Sequence, residues 1–266
     1  MLAHFVRLGP QTDTRACGEL FQNSESDNIM QNKKQKPITF HVITLFPEVF
    51  SAYVNESIIG RAIKNKQIAI KFYKLRDYVK GKKYRKKWPD GNVTTYVDDR
   101  PFGGGPGMVL RAEPFLEAYE AVKKAVTKRK TRSKIHVVFF SPSGNQFETM
   151  SAAQYVKRYT DIVFLCGRYE GIDARAAQIL KAEHVSVGPY VVTGGELPAM
   201  ICIDSIARQI PGVLGNFDSR EEVRVSSSEI YTRPDVLDWK GKKYRVPEVL
   251  KNGHRAKIDE WKQKGK

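Results

Sequence analysis

From residue 38 onward, short apolar runs alternate with longer amphipathic stretches. The apolar runs predict strands at residues 38–45, 68–75, 135–140, 161–166 and 183–187. The amphipathic stretches predict helices at residues 47–64, 113–128, 149–159, 173–181 and 197–209. Because strands that alternate with helices usually lie parallel, the pattern predicts an α/β fold in which a mostly parallel sheet has helices on both faces.

The same pattern divides the chain into segments. Residues 1–37 lack a sustained period, which predicts a disordered leader or N-terminal extension with Met30 as a candidate start, or alternatively an ordered N-terminal arm. The main domain is expected at residues 38–215. The apolar signal lapses through residues 216–229, which indicates a flexible charged linker, and residues 230–266 indicate a small, basic, helical C-terminal domain.

Glycine-rich segments follow three of the predicted strands. They lie at residues 141–144, 167–171 and 188–195. Ligands of parallel sheets gather at the carboxyl ends of the strands, and glycine lets a backbone approach a flat ligand more closely than a Cβ would allow. We therefore expect the three loops to share one nucleoside-binding pocket built largely of main chain.

The charge balance points to a polyanionic partner. The chain has 45 lysines and arginines against 29 acidic residues, a net charge of +16 and a pI near 9.7. At this level RNA, DNA and an anionic membrane all fit. The sequence has no apolar stretch long enough to span a bilayer and no signal-peptide pattern, so we expect a cytoplasmic protein. Its three cysteines suggest neither a disulfide framework nor a zinc site.

The common catalytic motifs do not account for the chain. It contains no P-loop, no H-E-x-x-H and no G-x-S-x-G. Gly103, Gly105 and Gly107 match a G-x-G-x-G spacing, but the charged segment 98–101 precedes them where an apolar strand should stand.

A set of longer motifs is more specific. They occupy residues 43–47, 98–108, 141–144, 167–171, 194–199, 211–215, 231–234 and 252–254. In this order they resemble bacterial tRNA (guanine-N1)-methyltransferases, and the resemblance extends from residue 38 to about residue 261.

The resemblance implies a fold of the SPOUT superfamily, with a deep C-terminal trefoil knot and a homodimer whose active site is shared. It implies methyl transfer from S-adenosylmethionine to N1 of the guanine 3′ of the anticodon (position 37), with the tRNA anticodon stem-loop as partner and neither a membrane nor DNA. Residues 38–215 would bind the cofactor and residues 230–266 would bind tRNA. No metal ligand cluster is evident in the sequence, so magnesium stays open as an additional ion without an assigned site.

By match of motif, the resemblance assigns a set of residues to the cofactor. They are Phe140, Pro142, Gly144, Cys166, Gly167, Tyr169, Glu170, Gly171, Val187, Gly188, Tyr190, Val192, Gly194, Gly195 and Pro198.

Methylation at guanine N1 requires a base for the N1 proton and a cation for the charge that develops toward O6. The resemblance gives the cationic role to Arg208. Asp204 lies one turn earlier on the same predicted helix face, so the alternative is a structural ion pair between the two side chains.

The base is a point at which this chain departs from the family. Val223 stands where relatives carry an acidic residue. Glu222, Glu221 or Asp218 would then supply the base, from a linker that becomes ordered when tRNA or cofactor binds. The alternative is a solvated run of charges.

Two further departures concern RNA. Residues 80–88 are longer and more basic than the corresponding family loop, and Lys82, Lys83, Tyr84, Arg85 and Trp88 suit phosphate contact and base stacking; a merely solvated loop is the alternative. The loop 98–108, with Asp99, Gly104 and Met108, is expected to shape the guanine pocket and the subunit contact; a capped turn between elements is the alternative. In the C-terminal domain, shorter here than in relatives, His254 is expected at the RNA.

Two other function classes stay open. A non-catalytic RNA-binding module would explain the positive charge but would not require the three glycine loops. A SPOUT enzyme that modifies a different RNA position is the other alternative.

Overall fold

The structure is a computed structural model that describes residues 37–129, 132–215 and 229–264. Within these ranges the chain forms two compact units, one over residues 37–215 and one over residues 229–264. Apart from their last residues, 37 and 229, the predicted leader and the predicted linker lie outside the described residues, so both stay predictions.

A five-stranded parallel sheet organises the larger unit. Its order is β2 (Ile68–Lys74), β1 (Ile38–Thr44), β8 (Asp161–Leu165), β7 (Ile135–Gln146) and β9 (Glu183–Ser186). All five predicted strands are present, and the predicted parallel arrangement is confirmed. Strand β1 is buried along its whole length, as expected for a strand covered on both faces.

Helices cover both faces of this sheet. A 3-10 turn over Pro47–Phe50 leads into short helix α1, and the helices are α1 (Ser51–Val54), α2 (Ser57–Lys64), α3 (Ala112–Thr127), α4 (Thr149–Arg158), α5 (Ala174–Leu180) and α6 (Glu196–Arg208). Neighbouring residues of a strand point to opposite faces, so Phe40 and Phe164 pack with α2, α4 and α6. Ile43 and Leu165 pack with α3 and α5 on the other face. The predicted coverage of both faces is therefore confirmed.

Strand β7 is longer than predicted because it continues beyond residue 140. It runs through the glycine-containing segment 141–144, and its register with β9 shifts between Phe140 and Asn145. A Cβ at Gly144 would lie 2.6 Å from the backbone nitrogen of Val185. The sequence pattern predicted a loop here, since proline and serine interrupt the apolar run. Phe140 and Asn145 both pair with Val185, so residues 141–144 bulge out of the ladder and pairing with β9 resumes beyond them.

Three short antiparallel pairs were not predicted. Strands β3 (Arg85–Lys87) and β4 (Val93–Thr95) form a hairpin, and β5 (Asp98–Asp99) pairs with β6 (Val109–Leu110). Seven of these ten residues are polar, so they lack the apolar signal on which the strand predictions rested.

The third antiparallel pair lies in the smaller unit, which was predicted to be helical. It contains β10 (Val236–Trp239), β11 (Lys242–Arg245) and helix α7 (Arg255–Lys264). Lys240 and Gly241 both have positive φ, as a type I′ hairpin turn requires. Within this unit the rings of Tyr231 and Trp261 lie 6.2 Å apart. The helical prediction holds for residues 255–264 but misses the hairpin at residues 236–245.

Candidate active site

A cavity of about 280 Å³ lies at the carboxyl edge of the sheet, beyond the ends of β7, β8 and β9. Its walls come from the segments 140–142, 167–171 and 185–195, together with Pro198 on α6. The three glycine loops therefore meet in one place, as the strand pattern predicted. The volume is near the lower end of the roughly 300–1,000 Å³ typical of small-molecule pockets.

The cavity brings together most of the residues that were expected to hold a cofactor. Those that line it are Phe140, Pro142, Gly167, Tyr169, Glu170, Gly171, Val187, Gly188, Tyr190, Val192, Gly194, Gly195 and Pro198. Gly144 and Cys166 do not line it. Gly144 packs against the backbone of β9, and Cys166 is fully buried behind the wall, where burial raises the pKa of its thiol.

Two of the loops cross in direct backbone contact. The amide of Gly195 donates to the carbonyl oxygen of Gly167 at 2.9 Å, and Arg168 forms an antiparallel bridge with Gly194. A Cβ at Gly195 would lie 2.6 Å from the Cα of Cys166. Because this neighbour is backbone and cannot swing away, only glycine fits the crossing.

An aromatic side chain covers part of the wall formed by residues 185–195. The hydroxyl of Tyr190 donates to the carbonyl oxygen of Val187 at 3.1 Å, and a Cβ at Gly188 would lie 2.2 Å from the Tyr190 ring. Tyr169, on the opposite loop, has a φ of 59°, an uncommon conformation for a residue with a side chain. These positions set the shape of the cavity.

A buried polar network beside the loop crossing was not predicted. Glu196 is only 2% exposed, and its Oε1 accepts a hydrogen bond of 2.7 Å from the Thr44 hydroxyl. Its Oε2 lies 3.0 Å from Nε of Arg168, a contact of opposite charges without aligned hydrogen-bond geometry. The Arg168 guanidinium also lies 5.0 Å from the centre of the Phe46 ring. The available signal was an acidic residue in the first turn of a helix, where the helix dipole favours it.

The glycine-rich loop before β6 contacts the same site. The amide of Glu170 donates to the Met108 carbonyl oxygen at 3.1 Å, and that of Leu110 donates to the Gly171 carbonyl oxygen at 2.9 Å. Met108 is thus brought beside the cavity. Gly104 has a φ of 78° and is exposed, and Asp99 pairs with Val109 in the β5–β6 ladder.

The two catalytic candidates on α6 do not pair with each other. The Tyr53 hydroxyl donates to Oδ2 of Asp204, and burial, together with this hydrogen bond, raises the pKa of Tyr53 to about 12. Among the described residues, no carboxylate lies within ion-pairing distance of Arg208, which is half-buried. The alternative of a structural Asp204–Arg208 ion pair is therefore not observed.

Arg208 also lies away from the cavity. It is the last residue of α6, ten positions beyond Pro198, and a rise of 1.5 Å per residue separates them by about 15 Å. One copy of the larger unit therefore does not bring Arg208 to the cavity wall. The candidate bases Glu222, Glu221 and Asp218, and Val223, lie outside the described residues.

The residues expected to bind RNA fall in different places. Lys82, Lys83, Arg85 and Trp88 are exposed on or beside the β3–β4 hairpin. Tyr84 instead packs against the core, with the Arg111 guanidinium 3.3 Å from its ring centre, so this face of the ring is already covered. His254 is exposed in the smaller unit.

In the part of the chain that the structure describes, no helix is both long and apolar enough to cross a membrane. Within the same ranges, no three histidine, cysteine or acidic side chains cluster as metal ligands.

The fold and the site together define a class, that of α/β proteins in which crossed glycine loops at the edge of a parallel sheet enclose a pocket. A sequence model of the family described as tRNA (Guanine-1)-methyltransferase TrmD matches residues 38–266. The chain belongs to this family of methyltransferases.

Individual relatives agree with the family match. The chain is 42% identical over 227 residues to the tRNA (guanine-N(1)-)-methyltransferase of Lachnospira eligens, which covers 84% of this chain and 87% of the relative. It is 41% identical to the protein of the same name from Clostridioides difficile, over 84% of this chain and 90% of the relative. It is 38% identical to that of Listeria monocytogenes serotype 4a, over 84% of each.

Proposed function

We propose that the protein transfers a methyl group from S-adenosylmethionine to N1 of the guanine 3′ of the anticodon (position 37) in tRNA. The observation that carries this proposal is the crossing of Gly167 and Gly195, because it builds the pocket from the motifs that the chain shares with its family. The relatives' names include methyl transfer to guanine N1 of tRNA. The net charge of +16 suits a tRNA substrate.

The pocket suits a nucleoside cofactor. Phe140, Val187, Val192 and Pro198 supply apolar wall, while the glycine loops leave main-chain polar groups close to the space that a Cβ would fill. S-adenosylmethionine would supply an electrophilic methyl group on a sulfonium. Glu170 is the acidic residue in the wall, and its carboxylate is suited to lie near a cationic ligand. We assign no site to magnesium.

We propose that the crossing loops belong to a deep trefoil knot of the SPOUT type. Two close approaches support a tightly threaded path, that of Gly195 to Cys166 and that of Gly144 to Val185. Each leaves less space than a methyl group needs.

The chain's own groups would perform the proton and charge steps. Arg208 would donate to O6 of the guanine as negative charge develops there. The N1 proton would pass to a carboxylate of the linker, for which Glu222, Glu221 and Asp218 are the candidates. Asp204 would not be the base, because it already accepts a hydrogen bond from Tyr53.

A homodimer would explain the separation of Arg208 from the cavity. Leu197 and Ile201 are 53% and 44% exposed, and they lie four residues apart on the face of α6 that also carries Arg208. An exposed apolar stripe of this kind is suited to a subunit contact. We propose that a second copy packs on this stripe and that Arg208 of the partner subunit completes the site.

We further propose that the smaller unit, with His254, contacts the anticodon stem-loop, and that the enzyme acts in the cytoplasm on tRNA rather than on DNA or a membrane. The base would have to leave its stack to reach the pocket, and extraction is easier from an anticodon loop than from a duplex. Asp99, Gly104 and Met108 would then border the extracted guanine, as suggested by the hydrogen bond between Met108 and Glu170.

The test is transfer of labelled methyl from S-adenosylmethionine to an unmodified tRNA transcript with guanine 3′ of the anticodon. The same transcript with that guanine replaced is the control. Guanine-dependent transfer that one of Glu222→Gln, Glu221→Gln or Asp218→Asn abolishes would support the proposal and identify the base. Absence of transfer by a folded, cofactor-binding protein would favour a non-catalytic RNA-binding module, and transfer to another position would favour a different SPOUT enzyme.

A further inference from the structure

The β3–β4 hairpin concentrates positive charge on a short, ordered projection. Between residues 79 and 97 the chain has six basic residues, and Asp90 is the single acidic residue. Both Asp90 oxygens accept hydrogen bonds from Asn92 within the turn, at 2.9 and 2.8 Å. At the root, Lys80 pairs with Glu117 at 2.6 Å. Within the described parts of the chain, the other five basic side chains form no ion pair.

The hairpin is anchored to the core. The Tyr96 amide donates to the Tyr84 carbonyl oxygen at 2.8 Å, and the Arg111 amide donates to the Val97 carbonyl oxygen at 2.8 Å. The Tyr84 ring packs under the Arg111 guanidinium, which is almost fully buried. These contacts hold the strands in place before any ligand arrives, which lowers the entropy lost on binding.

Contacts within the hairpin also order its tip. The Trp88 indole N–H donates to the Thr94 hydroxyl at 2.9 Å, and the Lys86 ammonium lies 4.0 Å from the Trp88 ring centre. Arg85 and Lys87, two residues apart on β3, point to the opposite face from Lys86 and are exposed. One face of the hairpin therefore presents two neighbouring cations to solvent.

The root of the hairpin lies close to the cavity. Three residues after Thr95, Asp98 pairs with Leu110, whose amide is bonded to Gly171 in the cavity wall. The backbone at Asp98 is thus separated from the cavity wall at Gly171 by two hydrogen-bonded chain spacings, or about 10 Å in total. A nucleic acid with a base in the cavity would therefore have backbone phosphates within reach of the projection.

We propose that the β3–β4 hairpin is a phosphate-binding surface, on which Arg85 and Lys87 contact the sugar-phosphate backbone of the RNA whose base enters the cavity. The identity of that RNA rests on the proposed function. The charge, the exposure and the anchoring of the hairpin are observations that do not depend on the proposed function. An exposed tip that carries cations beside an aromatic ring suits RNA better than a protein partner.

The test is the double substitution Arg85→Gln with Lys87→Gln. The matched control is Arg158→Gln with Lys157→Gln, which removes the same charges from the exposed end of α4. Helix α4 returns the chain from the carboxyl edge to the start of β8, so the control residues lie at the sheet edge opposite the cavity. Binding of a fluorescent anticodon stem-loop RNA is followed by anisotropy over a salt series.

We expect the hairpin variant to raise the RNA Kd about three- to tenfold near 0.1 M salt. We expect the slope of log K against log salt to fall by about 1.4 to 1.8, which corresponds to two lost phosphate contacts. The control and the charge-keeping variant Arg85→Lys with Lys87→Arg should retain both values. With tRNA as substrate, the KM of the hairpin variant should rise while kcat is kept.

Equal losses in the hairpin variant and its control would overturn the proposal, because net charge alone would then explain the effect. An unchanged RNA Kd would also overturn it. Binding to phosphatidylserine vesicles tests the alternative ligand: if the hairpin variant lost vesicle binding but kept its RNA Kd, the hairpin would be a surface for anionic lipid and not for RNA. The binding arm needs no methyl transfer. Failure of the proposed function is therefore distinguishable from failure of the hairpin.

Discussion

The Tyr53 hydroxyl donates a hydrogen bond to the carboxylate of Asp204, although the two residues are 151 positions apart in the sequence. The contact joins helix α1 to helix α6 and takes up the carboxylate that helical spacing would pair with Arg208. Among the described residues, Arg208 has no carboxylate partner, so its guanidinium can receive the negative charge of a substrate.

This relationship predicts different consequences for two neighbouring polar residues. Arg208→Gln should lower kcat by about 10²–10³, because it removes a donor to developing charge. Asp204→Asn should keep kcat within a few fold, since an amide oxygen can still accept from Tyr53. Steady-state methyl transfer at saturating tRNA and S-adenosylmethionine measures both. If Asp204→Asn lost as much activity as Arg208→Gln, Asp204 would have a direct role in catalysis.

The loop crossing predicts that Gly195→Ala disrupts the pocket. The added Cβ would meet the backbone of Cys166 at 2.6 Å, and overpacking of this kind costs about 1–3 kcal/mol. We expect calorimetry to show a marked loss of S-adenosylmethionine affinity and urea denaturation to show lower stability. Gly215→Ala is the matched control, because nothing lies within 4 Å of the position of its added Cβ. Unchanged cofactor affinity in Gly195→Ala would contradict the assignment of the cavity.

The exposed stripe on α6 predicts a change in assembly. Leu197→Glu with Ile201→Glu should convert a dimer to a monomer, because charges placed in an apolar contact lose their hydration. Light scattering after gel filtration gives the mass, and methyl transfer should fall with the dimer fraction. Ile179→Glu, at a 63% exposed position on α5, is the control that should remain dimeric. A monomeric wild type with full activity would exclude the shared site.

Tyr73 predicts a loss of stability at alkaline pH. Burial, and secondarily the neighbouring Tyr78, raise the pKa of Tyr73 from its ordinary value of 10.0 to about 12. Between these values the unfolded chain loses the proton while the folded chain keeps it, so stability should decrease by about 1.4 kcal/mol per pH unit. The stabilisation is complete below pH 10 and lost by about pH 12.

Urea denaturation between pH 9 and 12 measures this slope. Tyr73→Phe removes the titrating group, so its slope should be shallower by about that amount. Below pH 10 it should be less stable than the wild type, because the Tyr73 hydroxyl shares a hydrogen bond of 3.0 Å with Nδ1 of His41. Identical slopes for the two proteins would show that Tyr73 titrates alike in the folded and unfolded chain.

The sequence by itself determined the sheet, its helices and the place of the pocket. Apolar runs such as residues 161–165 form buried strands because burial on both faces requires nearly continuous apolar side chains. Glycines such as Gly195 mark close backbone contacts because any side chain would collide there. These are local requirements, and each residue type carries them wherever it stands in the chain.

Only the tertiary structure decided which polar groups meet. Thr44 reaches Glu196, and Tyr53 reaches Asp204, across more than 150 positions of sequence. No periodicity encodes such a pairing, because it depends on which strand and helix ends lie side by side after folding. Helical spacing placed Asp204 and Arg208 on one face, but the competing hydroxyl of Tyr53 took the carboxylate. The bulge that continues β7 also depends on its neighbour β9, which a single segment cannot reveal.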